Sequence, residues 1–205
     1  MRGEISSAKF DKRHPYDWYV EEQWVTGQLI RALDGFRAEA EAGEAIWDPS
    51  CGRGNIPAVF NEHGFKTYLS DVVDRVEWGE FSDSPRIPTP EFFSADFREM
   101  EAAPAPCSLV FNPPYSYIKG IAEAFVRHAL KLTSRRVCAV LHLTQRPSMP
   151  PGDRIALMGG RAFRGGMIDY CWIVWNVRKP TLPGQTRTIW LPPLAMNSAI
   201  IGEDL

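Results

Sequence analysis

Four short strand-like runs in the first 112 residues each end on an acidic or amide side chain. Residues 45–47 lead into Asp48, 66–70 into Asp71, 91–95 into Asp96 and 108–111 into Asn112. Helix-like and loop segments separate them. A helix is expected over 56–63, and another over 119–132, where Ile121, Phe125, Ala129 and Leu132 share a stripe. Residues 136–143 form a nearly continuous apolar run, as the buried middle of a parallel sheet requires. Strands alternating with helices predict an α/β fold with a doubly wound, mostly parallel sheet. Such sheets bind ligands beyond the C-terminal ends of their strands, where Asp48, Asp71, Asp96 and Asn112 fall.

The remaining segments are less regular. From about 20 to 42 the spacing of Trp24, Leu29, Ile30, Leu33 and Phe36 is roughly helical, weakened by Gly27 and Gly35. Residues 77–90 and 144–167 read as loops; the second is long, basic and rich in Gly and Pro. Two final strands, 170–177 and 187–191, flank a turn at 180–184 and predict an antiparallel edge hairpin. The polar opening, 1–16, reads as a flexible arm, leaving 17–205 as a single domain. Only 15 residues separate Asp96 from Asn112, so no separate target-recognition domain is expected between them.

Composition narrows the function classes. No apolar run approaches the ~18 residues of a membrane span, and the N-terminus MRGEISSAKFDKRH lacks the apolar core of a signal peptide. Cys51, Cys107, Cys138 and Cys171 form no CxxC pair, and the four histidines show no ligand spacing. Neither a metal site nor a disulfide framework is expected, and a cytoplasmic location is the simplest reading. Residues 1–100 carry 11 Lys+Arg against 19 Asp+Glu, whereas 101–205 carry 12 against 6. Such asymmetry suits a polyanion docking on one side of the molecule.

Two motifs carry chemistry. In DPSCGRGN (Asp48–Asn55), Gly52 and Gly54 permit a tight turn and close backbone approach where a strand passes into a helix. Asp71, at the next strand end, is placed to accept hydrogen bonds from a ribose diol. Asp96, beside Phe97, would suit an adenine amine and its face. The second motif is LVFNPPYS, in which an apolar strand stops at Asn112, Pro113, Pro114 and Tyr115. The two prolyl rings stiffen the turn, presenting an amide, two carbonyls and an aromatic ring to a ligand.

Together these motifs resemble the class I S-adenosylmethionine (AdoMet) methyltransferases, and among them the DNA N6-adenine enzymes with an NPPY tetrad. The resemblance covers roughly 17–143 and implies a Rossmann-like methyltransferase domain that uses AdoMet. Its implied cofactor contacts are Asp48, Pro49, Cys51, Gly52, Gly54, Asn55, Asp71, Asp96, Phe97 and Asn112. DWYVEEQWVT (Asp17–Thr26) is similar to the N-terminal cofactor-lid motif of small phage-type members, which adds Tyr19 and Trp24. Here Val20, Glu21, Glu22 and Gln23 stand where that pattern has Pro, Thr, Pro and Pro. The catalytic set implied is Asn112, Pro113, Pro114 and Tyr115, the last stacking on a flipped base. A nucleic-acid partner, DNA or RNA, would meet phosphate contacts from Arg146, Arg154, Arg161 and Arg164 in the substrate-facing loop 144–167. The alternatives are a protein glutamine-N5 methyltransferase, whose planar amide also suits NPPY, and a non-catalytic nucleic-acid-binding relative.

Overall fold

The computed structural model describes residues 21–115, 118–142, 149–157 and 170–191. Two helices open this part of the chain, α1 (Gln23–Ala32) and α2 (Arg37–Ala42), split by a 3-10 turn at Asp34–Phe36. The single helix expected over 20–42 is thus broken. Its break falls at Gly35, where φ is +64°, while Gly27 is carried within α1.

Strands and helices then alternate as expected. They run β1 (Ala45–Asp48), α3 (Asn55–Glu62), β2 (Thr67–Asp71), β3 (Glu91–Ser94), β4 (Cys107–Phe111), α4 (Ile121–Leu132) and β5 (Arg136–His142). Three further strands follow: β6 (Asp153–Leu157), β7 (Tyr170–Asn176) and β8 (Thr188–Leu191). The spatial order is β3-β2-β1-β4-β5-β7-β6-β8. Strands β3 to β5 pair in parallel, β7 is antiparallel to both β5 and β6, and β8 is parallel to β6.

The far edge departs from the sequence reading in two ways. The last two strands do not form a hairpin with each other, because β6 lies between them. In addition, Asp153–Leu157 is a strand inside the segment expected to be wholly loop. The run DRIAL is short and begins with two charges, so periodicity gave it no weight. Its burial comes from Ile155 and Ala156, which alternate onto opposite faces of the sheet.

The core follows from the period of two along each strand. On one face Trp47, Leu109, Phe111, Val137, Ala139, Ile173 and Trp175 pack with Phe97 and with Ile121, Phe125, Val126 and Ala129 of α4. On the other, Ile46, Val110, Cys138, Trp172 and Val174 pack with Leu29 and Ile30 of α1 and with Ile56, Val59 and Phe60 of α3. The sheet is therefore covered on both faces. No helix among the described residues is long and apolar enough to cross a membrane.

Candidate functional site

The chain steps outward from β1 to β2 to β3, then crosses back to place β4 on the other side of β1. The crevice of a doubly wound sheet opens at such a reversal. Reading across the sheet in space, the polar strand-end residues stand in the order Asp96, Asp71, Asp48 and Asn112. Four residues spread over 65 positions of sequence are thereby brought to one edge.

The glycine loop is built on that edge. Asp48 is 1% exposed, and its Oδ1 accepts from the Ser50 N–H at 3.0 Å. The Cys51 N–H donates to the Ser70 carbonyl at the end of β2, at 3.1 Å. The Gly52 N–H donates to Asp71 Oδ2 at 3.0 Å, so the loop is tied to both flanking strands. Gly54 has φ +91°, and a Cβ there would sit 3.1 Å from the Phe81 ring. A side chain at this position meets both backbone strain and a packed ring. Asn55 opens α3 and donates through Nδ2 to the Glu21 carbonyl at 2.7 Å.

The Asn-Pro-Pro-Tyr turn is wired to this loop. The Asn112 carbonyl accepts from Ser50 Oγ at 3.0 Å, and its Nδ2 donates to Glu21 Oε2 at 3.1 Å. The Tyr115 hydroxyl lies 2.5 Å from Asn112 Oδ1 and 2.6 Å from the Val140 carbonyl oxygen of β5. Pro113 is buried and Pro114 half-buried. The Tyr115 ring meets Tyr170 of β7 edge-on, with centroids 5.7 Å apart.

Electrostatically the pocket is acidic. Burial holds the Asp48 carboxyl well above its ordinary value, and the nearby charges of Glu21 and Asp71 add to this against the Ser50 N–H. Burial likewise raises Glu21, opposed by its own backbone and by the Asn112 amide. The Cys51 thiol is pushed far up by burial and by Asp48, Asp71 and Asp74, which leaves it without a thiolate to act as nucleophile. Such a site favours a cationic ligand.

Other expected site residues fare differently. Asp96 caps a 3-10 turn and is gripped by Arg98, with Nε at 2.9 Å and Nη2 at 2.5 Å from its two oxygens. The Arg98 hydrogen bonds hold its carboxyl below the usual range. The Phe97 ring does not offer a face to a ligand. It is 1% exposed and packs edge-on against Trp47 (5.3 Å) and His128 (4.9 Å), so its side chain is a core anchor. Trp24 is half-buried in the first turn of α1, and Pro49 and Cys51 are buried under the glycine loop.

Arg154 lies on β6 rather than in a loop. Register through β7 and β5 sets it level with Phe111. It stands three strands from β4, about 14 Å at ~4.8 Å per strand. Tyr19, Arg146, Arg161 and Arg164 lie outside the described residues. The sequence asymmetry in charge is partly cancelled in space. Arg135 and Arg178 pair with Glu44, Arg136 with Glu39, Arg127 with Glu123 and Arg187 with Asp153.

Three residues that organise the site escaped the sequence reading as contributors: Glu21, Ser50 and Val140. Ser50 sat inside the glycine motif, and Glu21 showed only as a departure from the lid pattern. Val140 acts through its backbone carbonyl and leaves no trace in sequence.

A scan against protein-family models finds no match, and a search of curated proteins finds none either. Solved structures do match. A modification subunit of a putative type I restriction enzyme from Vibrio vulnificus YJ016 aligns with TM-score 0.54 and 12% identity, over 85% of this chain and 50% of its own. A putative class I S-adenosylmethionine-dependent methyltransferase from Listeria monocytogenes aligns with TM-score 0.53 and 11% identity, over 83% and 73%. A putative methylase from Haemophilus influenzae gives TM-score 0.50 and 11% identity, over 73% and 98%. The chain thus spans half the length of the restriction-enzyme subunit. At these identities the likeness is one of fold, and the fold is the class I methyltransferase one.

Proposed function

We propose that the chain is an AdoMet-dependent methyltransferase that modifies the exocyclic N6 amine of adenine in DNA. The observation that carries this reading is Asn112, held through its carbonyl by the glycine loop and through its amide by Tyr115 and Glu21. A preorganised amide followed by a proline carbonyl is a pair of acceptors for the two hydrogens of a planar amine.

The pocket fits the cofactor on three counts. Asp71 accepts from the Gly52 N–H on Oδ2 at 3.0 Å and from the Val73 N–H on Oδ1 at 3.4 Å, and an ionised carboxylate has about four acceptor sites, which leaves capacity for a ribose diol. Val72, next in sequence and 43% exposed, offers an apolar surface beside it. The surrounding carboxylates of Glu21, Asp48, Asp71 and Asp74 match a positively charged ligand. When bound, AdoMet supplies an electrophilic methyl group on a sulfonium.

The chain's own residues then do the following. Asn112 Oδ1 and the Pro113 carbonyl accept the two N6 hydrogens. This draws the nitrogen from planar towards tetrahedral and frees its lone pair for the methyl group. The rings of Pro113 and Pro114 hold that carbonyl in place before substrate arrives, so little reorganisation is needed at the moment of reaction. No strong base is required, since the methylated nitrogen is acidic and loses its proton afterwards.

Asp71→Ala is expected to weaken AdoMet binding about 10- to 100-fold, the scale of a hydrogen bond to a charged group. Calorimetry giving an unchanged Kd would remove Asp71 from the cofactor site.

The function itself is tested by incubating the protein with tritiated AdoMet and DNA, RNA or a glutamine-bearing protein, then identifying the labelled product. N6-methyladenine in DNA is the expected product. Label in RNA would move the substrate class, label in a glutamine side chain would favour the protein-directed alternative, and AdoMet binding without any transfer would favour the non-catalytic one.

A further inference from the structure

We infer that Glu21 is a positioning residue whose carboxylate fixes which way round the Asn112 amide is held. The inference rests on the reading above, in which Asn112 must present an oxygen, not an NH2 group, to the target amine.

An amide has almost the same shape in both orientations, so the chemistry of its neighbours decides between them. Tyr115 does not decide. Its hydroxyl can donate to Asn112 Oδ1, or donate to the Val140 carbonyl and accept from an amide NH2; both acceptors are within 2.6 Å. Glu21 does decide. In its ionised form, which a cationic ligand favours against the burial that raises its pKa, the carboxylate only accepts, so at 3.1 Å it can face nothing but Nδ2. The oxygen is then turned towards Tyr115, where its two lone pairs allow a target N–H to be accepted beside the hydroxyl. Without that carboxylate the amide can reverse and present a donor to a donor.

Glu21 is itself well anchored for this task. Its carbonyl is fixed by Asn55 Nδ2, and the start of α1 is tied to the sheet by Trp172 Nε1 donating to the Val25 carbonyl at 3.0 Å. The charged groups facing it are Asp48 at the end of β1 and, behind that, Asp71 at the end of β2. Both are negative. A positive charge brought into the pocket favours the ionised form of Glu21, so cofactor loading strengthens the lock.

Glu21→Ala is expected to lower kcat about tenfold or more, short of the 10²–10³ expected for removing an acceptor outright, and to weaken AdoMet binding by a smaller factor, because the coupling between its charge and the cofactor's is reciprocal. Glu21→Gln can offer Asn112 either its oxygen or its NH2 group, so it no longer dictates the orientation, and its kcat should fall between that of Glu21→Ala and wild type. A readout independent of turnover is the Asn112 side-chain amide in ¹⁵N NMR with AdoMet present, identified by its absence in Asn112→Ala. Its protons should be more protected from exchange in wild type than in Glu21→Ala. The inference is overturned if protection is the same in all three proteins, whatever their activity. It is also overturned if Glu21→Ala leaves kcat unchanged, if the whole loss appears in AdoMet Kd, or if Glu21→Ala turns over faster than wild type. Wild-type inactivity on every acceptor, with the protection pattern intact, counts against the methyltransferase reading alone.

Discussion

Asn112→Ala is expected to reduce methyl transfer by about 10²–10³-fold, the scale for deleting one preorganised polar contact to a reacting group. Cofactor binding should stay within about threefold of wild type. The separation follows from where Asn112 sits. Its side chain faces Glu21 and Tyr115, while its link to the glycine loop runs through the backbone carbonyl and Ser50, which alanine leaves in place. Single-turnover transfer and calorimetric AdoMet binding on the same preparation would check both halves. A transfer rate within about threefold of wild type would remove Asn112 from the reaction. A parallel collapse of AdoMet binding would make it a structural prop of the cofactor pocket.

The alternation of β1, α3, β2, β3, β4, α4 and β5 was legible in sequence because each unit carries a local signal. The first four strands lead into Asp or Asn, β5 is nearly continuously apolar, and α4 repeats its apolar side chains at helical spacing. The parallel half of the sheet and the line of Asp48, Asp71, Asp96 and Asn112 follow from those signals. The far edge was not legible, because pairing between distant strands is a tertiary choice. Among the described side chains of strand β6, Ile155 and Ala156 are the buried anchors, and the strand wins its place by pairing with β7 and β8 on either side.

Phe97 shows a different failure. An aromatic beside a strand-end acid reads the same whether its ring turns to a ligand or to the core, and here Trp47, Phe111 and Phe125 supply the core that receives it. The site's wiring was hidden for a third reason. The Glu21 to Asn112 contact spans 91 positions, and the one from Ser50 ends on a backbone atom.

The same long-range wiring makes Glu39 a position where a single substitution should cost several kcal/mol of stability. Glu39 of α2 is 0% exposed, and its Oε1 lies 2.9 Å from Ser108 Oγ of β4 and 3.1 Å from Arg136 Nε of β5. Its Oε2 has no hydrogen-bond partner among the described residues. Burial raises the Glu39 pKa against the pull of Arg136 and the Ser108 hydroxyl. The folded state therefore holds that proton more tightly than the unfolded chain. The stability linked to it is present below the ordinary carboxylate value and is lost as pH rises through the raised one. Ionising Glu39 is thus a cost that the fold carries, not a source of strength.

Glu39→Ala nonetheless destabilises, because it leaves the Arg136 guanidinium, 13% exposed and over the Phe36 ring, without its counter-charge. The expected loss is about 3–5 kcal/mol, read as a lower urea midpoint with unchanged m-value. Replacing both partners, Glu39→Leu with Arg136→Met, should recover most of that loss, since paired burial of charge is then removed along with its desolvation cost. A single-variant loss below about 1 kcal/mol would mean that Arg136 swings out to water once released. A double variant no better than the single would place the cost in packing around α2, and not in the stranded charge.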